Sequence, residues 1–268
     1  MNKIKLILMH LFITVAAFLS VFPFLWMIMG ATNSSADVTK GVIGFGLELA
    51  NNFRKLNKLI NLPQILFNTA VIAVVTTLLT LIIASMAGYG FEMYRNKVRE
   101  RMYNIFLLTM MVPFAAIMIP LFRLFSKFNL LNSYIAVILP SLASVFVIFY
   151  FRQSTKSFQK ELIQAARVDG LNELMAFIFI YFPTMKSTYA AAAIITFMTS
   201  WNSFLWPLII LQSSSKKTMT LAISSISSSY TPDFGVMMLA IIIATLPTLL
   251  IFFTMQKQFV EGMVGTVK

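Results

Sequence analysis

Six apolar stretches constrain the fold of this chain most, since none of them contains Asp, Glu, Lys or Arg. The single histidine of the chain, His10, lies near the start of the first stretch. A run of roughly 20 apolar residues is long enough to cross a bilayer as a helix, whose backbone groups satisfy one another. The sequence therefore predicts an all-α integral membrane protein with six transmembrane helices, over residues 6–29, 65–91, 103–121, 134–151, 188–211 and 234–255.

Composition agrees with a membrane protein and excludes several other classes. The chain is 59% hydrophobic and only 11% charged, which is atypical of a soluble domain. It has no cysteine and one histidine, so we expect no disulfides, no metal site and no cofactor. The net charge of +12 is attributed to basic loops near anionic lipid headgroups rather than to nucleic acid.

The first apolar stretch has two interpretations. A cleaved signal peptide has an apolar region of about 7–15 residues and a small-residue cleavage site. Residues 6–29 form a longer run, and no such site closes it. We therefore assign residues 1–33 to the first transmembrane helix and residues 34–64, which are polar and mixed, to an extracellular loop.

The distribution of basic residues predicts the orientation. Six helices place both termini on one side, and thirteen of the 21 Lys and Arg residues then fall in inner segments. The densest group, Arg95, Lys97, Arg99 and Arg101, follows the second helix. Because basic loops are retained inside, we expect both termini to be cytosolic. Residues 65–256 form the core, 157–185 an inner loop and 257–268 a cytosolic tail.

The inner loop 157–185 shows a helix, a glycine turn and a second helix. Residues 160–168 are good helix formers, Gly170 permits a turn, and a helical pattern resumes over 171–181 before Pro183. Leu162, Ala165, Ala166 and Asp169 recur at three- and four-residue steps, which places them on one face. Small residues beside a turn predict a knob that docks closely on another protein.

The absence of acidic residues from the six stretches limits the possible sources of energy for transport. Carriers driven by protons or sodium hold the coupling ion with polar or ionisable groups in the membrane. The six stretches have no acids, and the chain has no GxxxxGK[ST] phosphate loop. If the chain transports a solute, the energy must therefore enter through a partner, and we expect it to enter at residues 164–170.

This segment resembles the EAA coupling loop of ABC importer permeases. Its ATPase-coupling candidates under that resemblance are Gln164, Ala165, Ala166, Arg167, Asp169 and Gly170. Gln164 replaces the family's Glu, and Phe182 before Pro183 replaces its Leu. The neutral amide still hydrogen-bonds, at roughly half the strength of a charged contact.

Further blocks resemble the maltose-type carbohydrate permeases, the MalG-like subgroup. They occupy residues 67–69, 87–91, 201–207, 246–247 and 256–268. The resemblance implies a type I ABC importer permease bundle in a bacterial plasma membrane. It also implies three kinds of partner: a second, homologous permease, an ABC ATPase dimer and an extracellular sugar-binding (lipo)protein. Gly262, Gly265 and Lys268 match a tail that contacts the ATPase, with a frayed end as the alternative.

Four residues are candidates for lining the pathway: Asn68, Tyr134, Trp201 and Asn202. Amides and aromatic faces suit sugar hydroxyls and rings, but the same residues also pack helices together. The resemblance leaves open whether the partner permease makes most of the sugar contacts.

Two other functions remain open. One is an ABC permease for polyamine, peptide or phosphate. The other is a membrane enzyme or scaffold, although no paired carboxylates, activated nucleophile or metal cluster converge in the sequence, so no catalytic residue is predicted.

Overall fold

A computed structural model describes residues 3–264, with the side chains of residues 4–257. Every regular element in this part of the chain is a helix. A π-helical turn, Phe177–Tyr181, joins α10 to α11, and a 3-10 turn, Ser214–Lys216, precedes α14. The α-helices, in chain order, are α1 (Lys3–Ala31), α2 (Ser35–Thr39), α3 (Leu49–Leu59), α4 (Leu62–Met93), α5 (Lys97–Thr109), α6 (Phe114–Lys127), α7 (Tyr134–Leu142), α8 (Val145–Thr155), α9 (Lys160–Val168), α10 (Glu173–Ala176), α11 (Phe182–Thr184), α12 (Lys186–Trp201), α13 (Leu205–Ile210), α14 (Met219–Ser227) and α15 (Phe234–Val264).

The lengths of these helices confirm an all-α membrane protein. Four segments of the described chain are long and apolar enough to cross a membrane: α1, α4, the α7–α8 segment and α15. Two bent pairs raise the number to six if each pair is one span. One pair is α5 with α6, bent by 99°, and the other is Glu173–Thr184 with α12, bent by 82°.

The chain forms two compact units. One comprises the chain up to Ile65 together with Met219–Pro247, and the other comprises Leu66–Thr218 together with the chain from Thr248. We refer to them as the first and second units. The candidate site described below lies in the second unit.

In the first unit, the predicted loop 34–64 is in part helical, because it contains α2 and α3. Ser34 caps α2 by accepting a hydrogen bond from the Asp37 N–H at 3.2 Å. Asn52 on α3 is fully buried, and its amide donates to the carbonyls of Ala31 and Asn33, each at 2.9 Å. These bonds hold the segment against the end of α1.

In the second unit, prolines break two of the predicted membrane helices. A proline ring clashes with the carbonyl four residues earlier and provides no N–H. Four residues before Pro113 is Thr109, where α5 ends, and four before Pro207 is Ser203, in the gap between α12 and α13. The predicted helices 103–121 and 188–211 are therefore each divided in two.

Pro140 lies in the fourth predicted helix, 134–151, and the helix breaks a few residues after this proline. It lies inside α7, and the break falls after it, at Ala143 and Ser144. The carbonyl of Ala136, four residues before Pro140, has lost its helical donor. The indole N–H of Trp206 donates to this carbonyl at 2.9 Å, which joins α13 to α7.

A close helix contact of the second unit lies where α4 meets α8. A Cβ at Gly88 would lie 2.7 Å from the Cβ of Phe151 and 2.8 Å from the backbone nitrogen of Arg152. Phe151 is fully buried in a cluster with residues of α4 and α12, including Ala84 and Ala192. Glycine at position 88 is thus required by packing rather than by the backbone conformation.

Candidate coupling site

The predicted helix, glycine turn and helix are present in the inner loop. Helix α9 has the predicted bounds, and Gly170 follows it with φ +84°. The Leu171 N–H donates to the Ala166 carbonyl at 3.0 Å, and the Gly170 N–H donates to the Arg167 carbonyl at 3.1 Å. This pair of hydrogen bonds is a Schellman motif. The residue that follows the C-cap in this motif has a left-handed backbone conformation, which glycine adopts most readily. Asn172 then starts α10 by accepting from the Met175 N–H at 2.9 Å.

The face of α9 that is open to a partner differs from the predicted one. Five of the six coupling candidates are exposed and are here called the α9 tip: Gln164, Ala165, Arg167, Asp169 and Gly170. Ala166 is only 4% exposed and packs with Ile163, which is fully buried. The predicted face shared by Ala165 and Ala166 is therefore wrong, because Ala166 follows Ile163 at the three-residue step and faces its own chain.

An aromatic cluster supports the buried side of α9. Tyr181 is fully buried, with ring-centroid distances of 4.8 Å to Tyr89 of α4 and 5.3 Å to Phe158. The hydroxyl of Tyr181 lies 2.6 Å from that of Thr155 at the end of α8. Stacked and edge-on rings of this kind stabilise a contact beyond their buried area, so α9 rests on a rigid base.

A buried ion-pair network lies beside this cluster. Glu92 at the end of α4 is 2% exposed, and Arg152 of α8 is 3% exposed. Their Oε2 and Nε atoms are 3.5 Å apart, and Arg152 also donates to the carboxylate of Glu100 on α5 at 2.5 Å. The guanidinium lies 3.8 Å from the ring centroid of Tyr103. Charges this deeply buried are retained only when they are paired, and here the pairing joins α4, α5 and α8.

Both ends of α9 are connected to this framework. At its start, the Lys160 Nζ atom lies 3.2 Å from Oε1 of Glu92. At its end, Arg167 donates to Glu173 of α10 at 2.7 Å, and Glu173 also accepts from the hydroxyl of Tyr94, directly after α4. Burial, and then the bond to Glu173, raise the pKa of the Tyr94 hydroxyl. These contacts join both ends of α9 to α4 or the residue after it, and Glu92 extends the connection to Arg152 of α8.

Sequence reasoning missed Glu92 and Arg152. The available signal was an acid directly after an apolar run, in a segment otherwise dense in positive charge. The partner of this acid lies 60 residues later in the chain, and no local pattern identifies it.

The structure does not bring the four candidate pathway residues together at one surface. Asn68 is fully buried, and its amide donates to the carbonyls of Ser215 at 2.8 Å and Lys217 at 3.0 Å. The hydroxyl of Tyr134 donates to the side-chain Oδ1 atom of Asn68 at 2.6 Å. Trp201 is 4% exposed and packs with Phe197 and Ala73 of α4. Asn202 is exposed, and its side-chain amide donates to the Met198 carbonyl of the preceding helix.

Two of the three residues of the candidate tail contact lie outside the described part of the chain. Gly262 lies on α15. Gly265 and Lys268 lie outside the described residues.

The four to six candidate spans of the described chain define a class: polytopic helical membrane proteins. Comparison with known proteins identifies the family. Residues 80–265 match the family described as binding-protein-dependent transport system inner membrane component, and the chain belongs to it. The protein is thus a multi-pass inner-membrane transport subunit and not an enzyme.

Individual relatives agree with this assignment. The chain is 54% identical over 256 residues to the lactose transport system permease protein LacG of Rhizobium radiobacter, covering 96% of this chain and 94% of that protein. It is 35% identical over 270 residues to the arabinooligosaccharides transport system permease protein AraQ of Bacillus subtilis, covering 98% and 95%.

A solved structure confirms the fold. A chain of a bacterial ABC transporter involved in the import of the acidic polysaccharide alginate matches with a TM-score of 0.85 at 21% identity. The match covers 96% of this chain and 97% of that one. The predicted ABC importer permease bundle is therefore the observed fold.

Proposed function

We propose that this chain is the membrane-spanning permease subunit of an ATP-driven importer of a sugar or oligosaccharide. The similarity to LacG and AraQ over nearly the whole chain supports a carbohydrate as the solute. The observation that carries the mechanism is the α9 tip, which is exposed while both ends of its helix are ion-paired to the rest of the chain.

Three partners complete the proposed importer. An ABC ATPase dimer binds the α9 tip, and the tail residues Gly262, Gly265 and Lys268 contact the same subunits. A second, homologous permease forms the other half of the pathway, and an extracellular sugar-binding protein delivers the solute. In this arrangement both termini of the chain are cytosolic.

The proposed cycle begins when ATP closes the ATPase dimer and moves the α9 tip. Because Lys160 pairs with Glu92, and Glu92 with Arg152, the movement reaches α4 and α8 together. These helices then rotate as a rigid group between inward- and outward-facing states. Gln164 offers the ATPase a neutral amide, so its contact is a hydrogen bond and not an ion pair.

Two adjacent alanines test this coupling, because only one of them is exposed. We expect Ala165→Trp in the complete importer to abolish ATP-driven sugar uptake while leaving the chain as stable as wild type. Ala166→Trp overfills the contact with Ile163 and costs about 1–3 kcal/mol or more of stability. Uptake and thermal unfolding are measured on both variants.

Ala116→Trp, at an exposed alanine of α6, provides the size-matched control. It should change neither uptake nor stability. Wild-type uptake by the Ala165→Trp importer would contradict the proposed role of the α9 tip.

A further inference from the structure

An exposed apolar segment follows the first membrane span in the first unit. Residues 42–49 run from the turn after α2 to the start of α3, and only one residue among them, Glu48, is charged. Ile43 is 68% exposed, Phe45 is 73% exposed and Leu47 is 99% exposed, so no described part of the chain covers these side chains. Several large apolar side chains exposed together in one short segment indicate a contact outside the chain.

The backbone of this segment is fixed to the end of α1. The Glu48 N–H donates to the Thr32 carbonyl at 2.8 Å, and the Gly46 N–H donates to the Thr32 hydroxyl at 2.9 Å. The Asn33 amide donates to the Gly44 carbonyl at 2.8 Å. A Cβ at Gly46 would lie 2.4 Å from the Oδ1 atom of Asn33, so this close approach requires glycine. The exposed side chains are therefore held at a defined level relative to the membrane span.

The length of α1 indicates what that level is. Its apolar part, Ile4–Ala31, has 28 residues. At 1.5 Å per residue it is about 42 Å long, whereas a bilayer measures about 30 Å across the hydrocarbon core and about 40–45 Å with its headgroup layers. The end of α1 therefore reaches the headgroup layer. A second span starts at the same level, because Asp233, directly before α15, pairs with Lys55 of α3 at 2.8 Å.

Helix α3 continues the segment and has three different sides. The side that faces the chain carries Asn52, which is fully buried. Leu49 and Phe53 are four residues apart and are exposed together on a second side. Arg54 and Lys58, also four residues apart, are exposed on the third. A helix with an apolar side and a basic side is typical of helices that lie in the plane of the membrane interface.

The charges of the segment favour anionic lipid as its partner. Residues 40–59 contain four basic residues and one acidic residue, so their net charge is +3. Arg54 and Lys58 form no ion pair with the described residues. A protein partner that met both the apolar and the basic side would have to enter the headgroup layer, where lipid is already present. Lipid phosphates and acyl chains provide both kinds of contact.

We propose that residues 42–59 form an interfacial anchor in the bilayer. The apolar side chains insert at the boundary between headgroups and acyl chains, and Arg54 and Lys58 contact the phosphates of anionic phospholipids. In the proposed orientation of the chain, this is the outer leaflet. The anchor fixes the ends of α1 and α15 to the membrane surface, and it does not depend on which solute the importer carries.

The accessibility of spin labels tests the depth of the segment. The chain contains no cysteine, so Leu47→Cys or Phe53→Cys places a single label on it. The labelled chain is reconstituted in lipid nanodiscs, alone and within the complete importer. Oxygen concentrates in the bilayer and a nickel chelate stays in water. The ratio of their collision rates should be at least severalfold higher at both positions than at the control Asn51→Cys, which is exposed on the opposite side of α3 from Phe53.

Two results of this experiment would overturn the proposal. Labels at positions 47 and 53 that the nickel chelate reaches as readily as the control would place the segment in water. Labels that are shielded from both reagents within the complete importer would show that a protein partner, such as the binding protein or the second permease, covers the segment instead of lipid.

Fluorescence quenching tests the preference for anionic lipid. A bimane fluorophore on Phe53→Cys is measured in mixed vesicles in which either phosphatidylglycerol or phosphatidylcholine carries brominated acyl chains, and the two quenching values give the relative binding of the lipids. Phosphatidylglycerol should be preferred, by up to about fivefold for each basic residue. The preference should disappear when Arg54→Gln and Lys58→Gln are added. Equal quenching by the two lipids with both basic residues present, or a preference that persists without them, would contradict the proposal.

Discussion

Replacement of Arg152 would disrupt the buried ion-pair network beside the coupling site. In Arg152→Met, Glu92 remains 2% exposed and keeps only Lys160 at 3.2 Å and Arg95 at 3.7 Å, both on partly exposed side chains. Removing one partner of a buried ion pair typically costs about 3–5 kcal/mol, because the other charge is left uncompensated. Since two basic groups remain near Glu92, we expect the lower end, about 3 kcal/mol.

The measurement is the free energy of unfolding in detergent, followed by the fluorescence of Trp201 and Trp206, which lie in the same unit as the network. The double variant Arg152→Met with Glu92→Leu removes the stranded charge and should recover to within about 1 kcal/mol of wild type. Arg123→Met, at an exposed arginine of α6, should change stability by less than about 0.5 kcal/mol. An Arg152→Met variant as stable as wild type, or a double variant no more stable than the single one, would refute the reasoning.

Two further predictions concern the stability of the chain. Gly88→Ala should cost about 1–3 kcal/mol, since its Cβ would overlap Phe151, whereas Gly90→Ala, with open space around its Cβ, should be neutral or slightly stabilising; unfolding titrations of both variants check this. Asn68→Leu should destabilise the chain by about 1–3 kcal/mol, because the carbonyls of Ser215 and Lys217 and the hydroxyl of Tyr134 each lose a hydrogen-bond partner, while the KM for uptake stays at the wild-type value. A raised KM at unchanged stability would instead support Asn68 as a residue of the pathway.

Local signals explain what the sequence predicts correctly. Long apolar runs predict membrane helices independently of the rest of the sequence. Gly170 marks the end of α9 because the turn requires a residue with a left-handed backbone conformation. The helix Lys160–Val168 follows from residue propensity and from Gly170 at its end.

The remainder depends on contacts between distant parts of the chain. Ala166 faces inward because Tyr181 and Tyr89 pack beneath it, and the pattern of α9 alone does not contain those residues. Glu92 and Arg152 likewise become a pair only once α4 lies against α8 at Gly88.

The most direct test of the central claim is uptake of radiolabelled sugar by proteoliposomes. One preparation holds the complete importer with its binding protein and ATP, and the other holds this chain alone. The account predicts concentrative uptake by the first preparation, dependent on ATP hydrolysis, and none by the second. Accumulation of sugar by this chain without an ATP-hydrolysing subunit would contradict it.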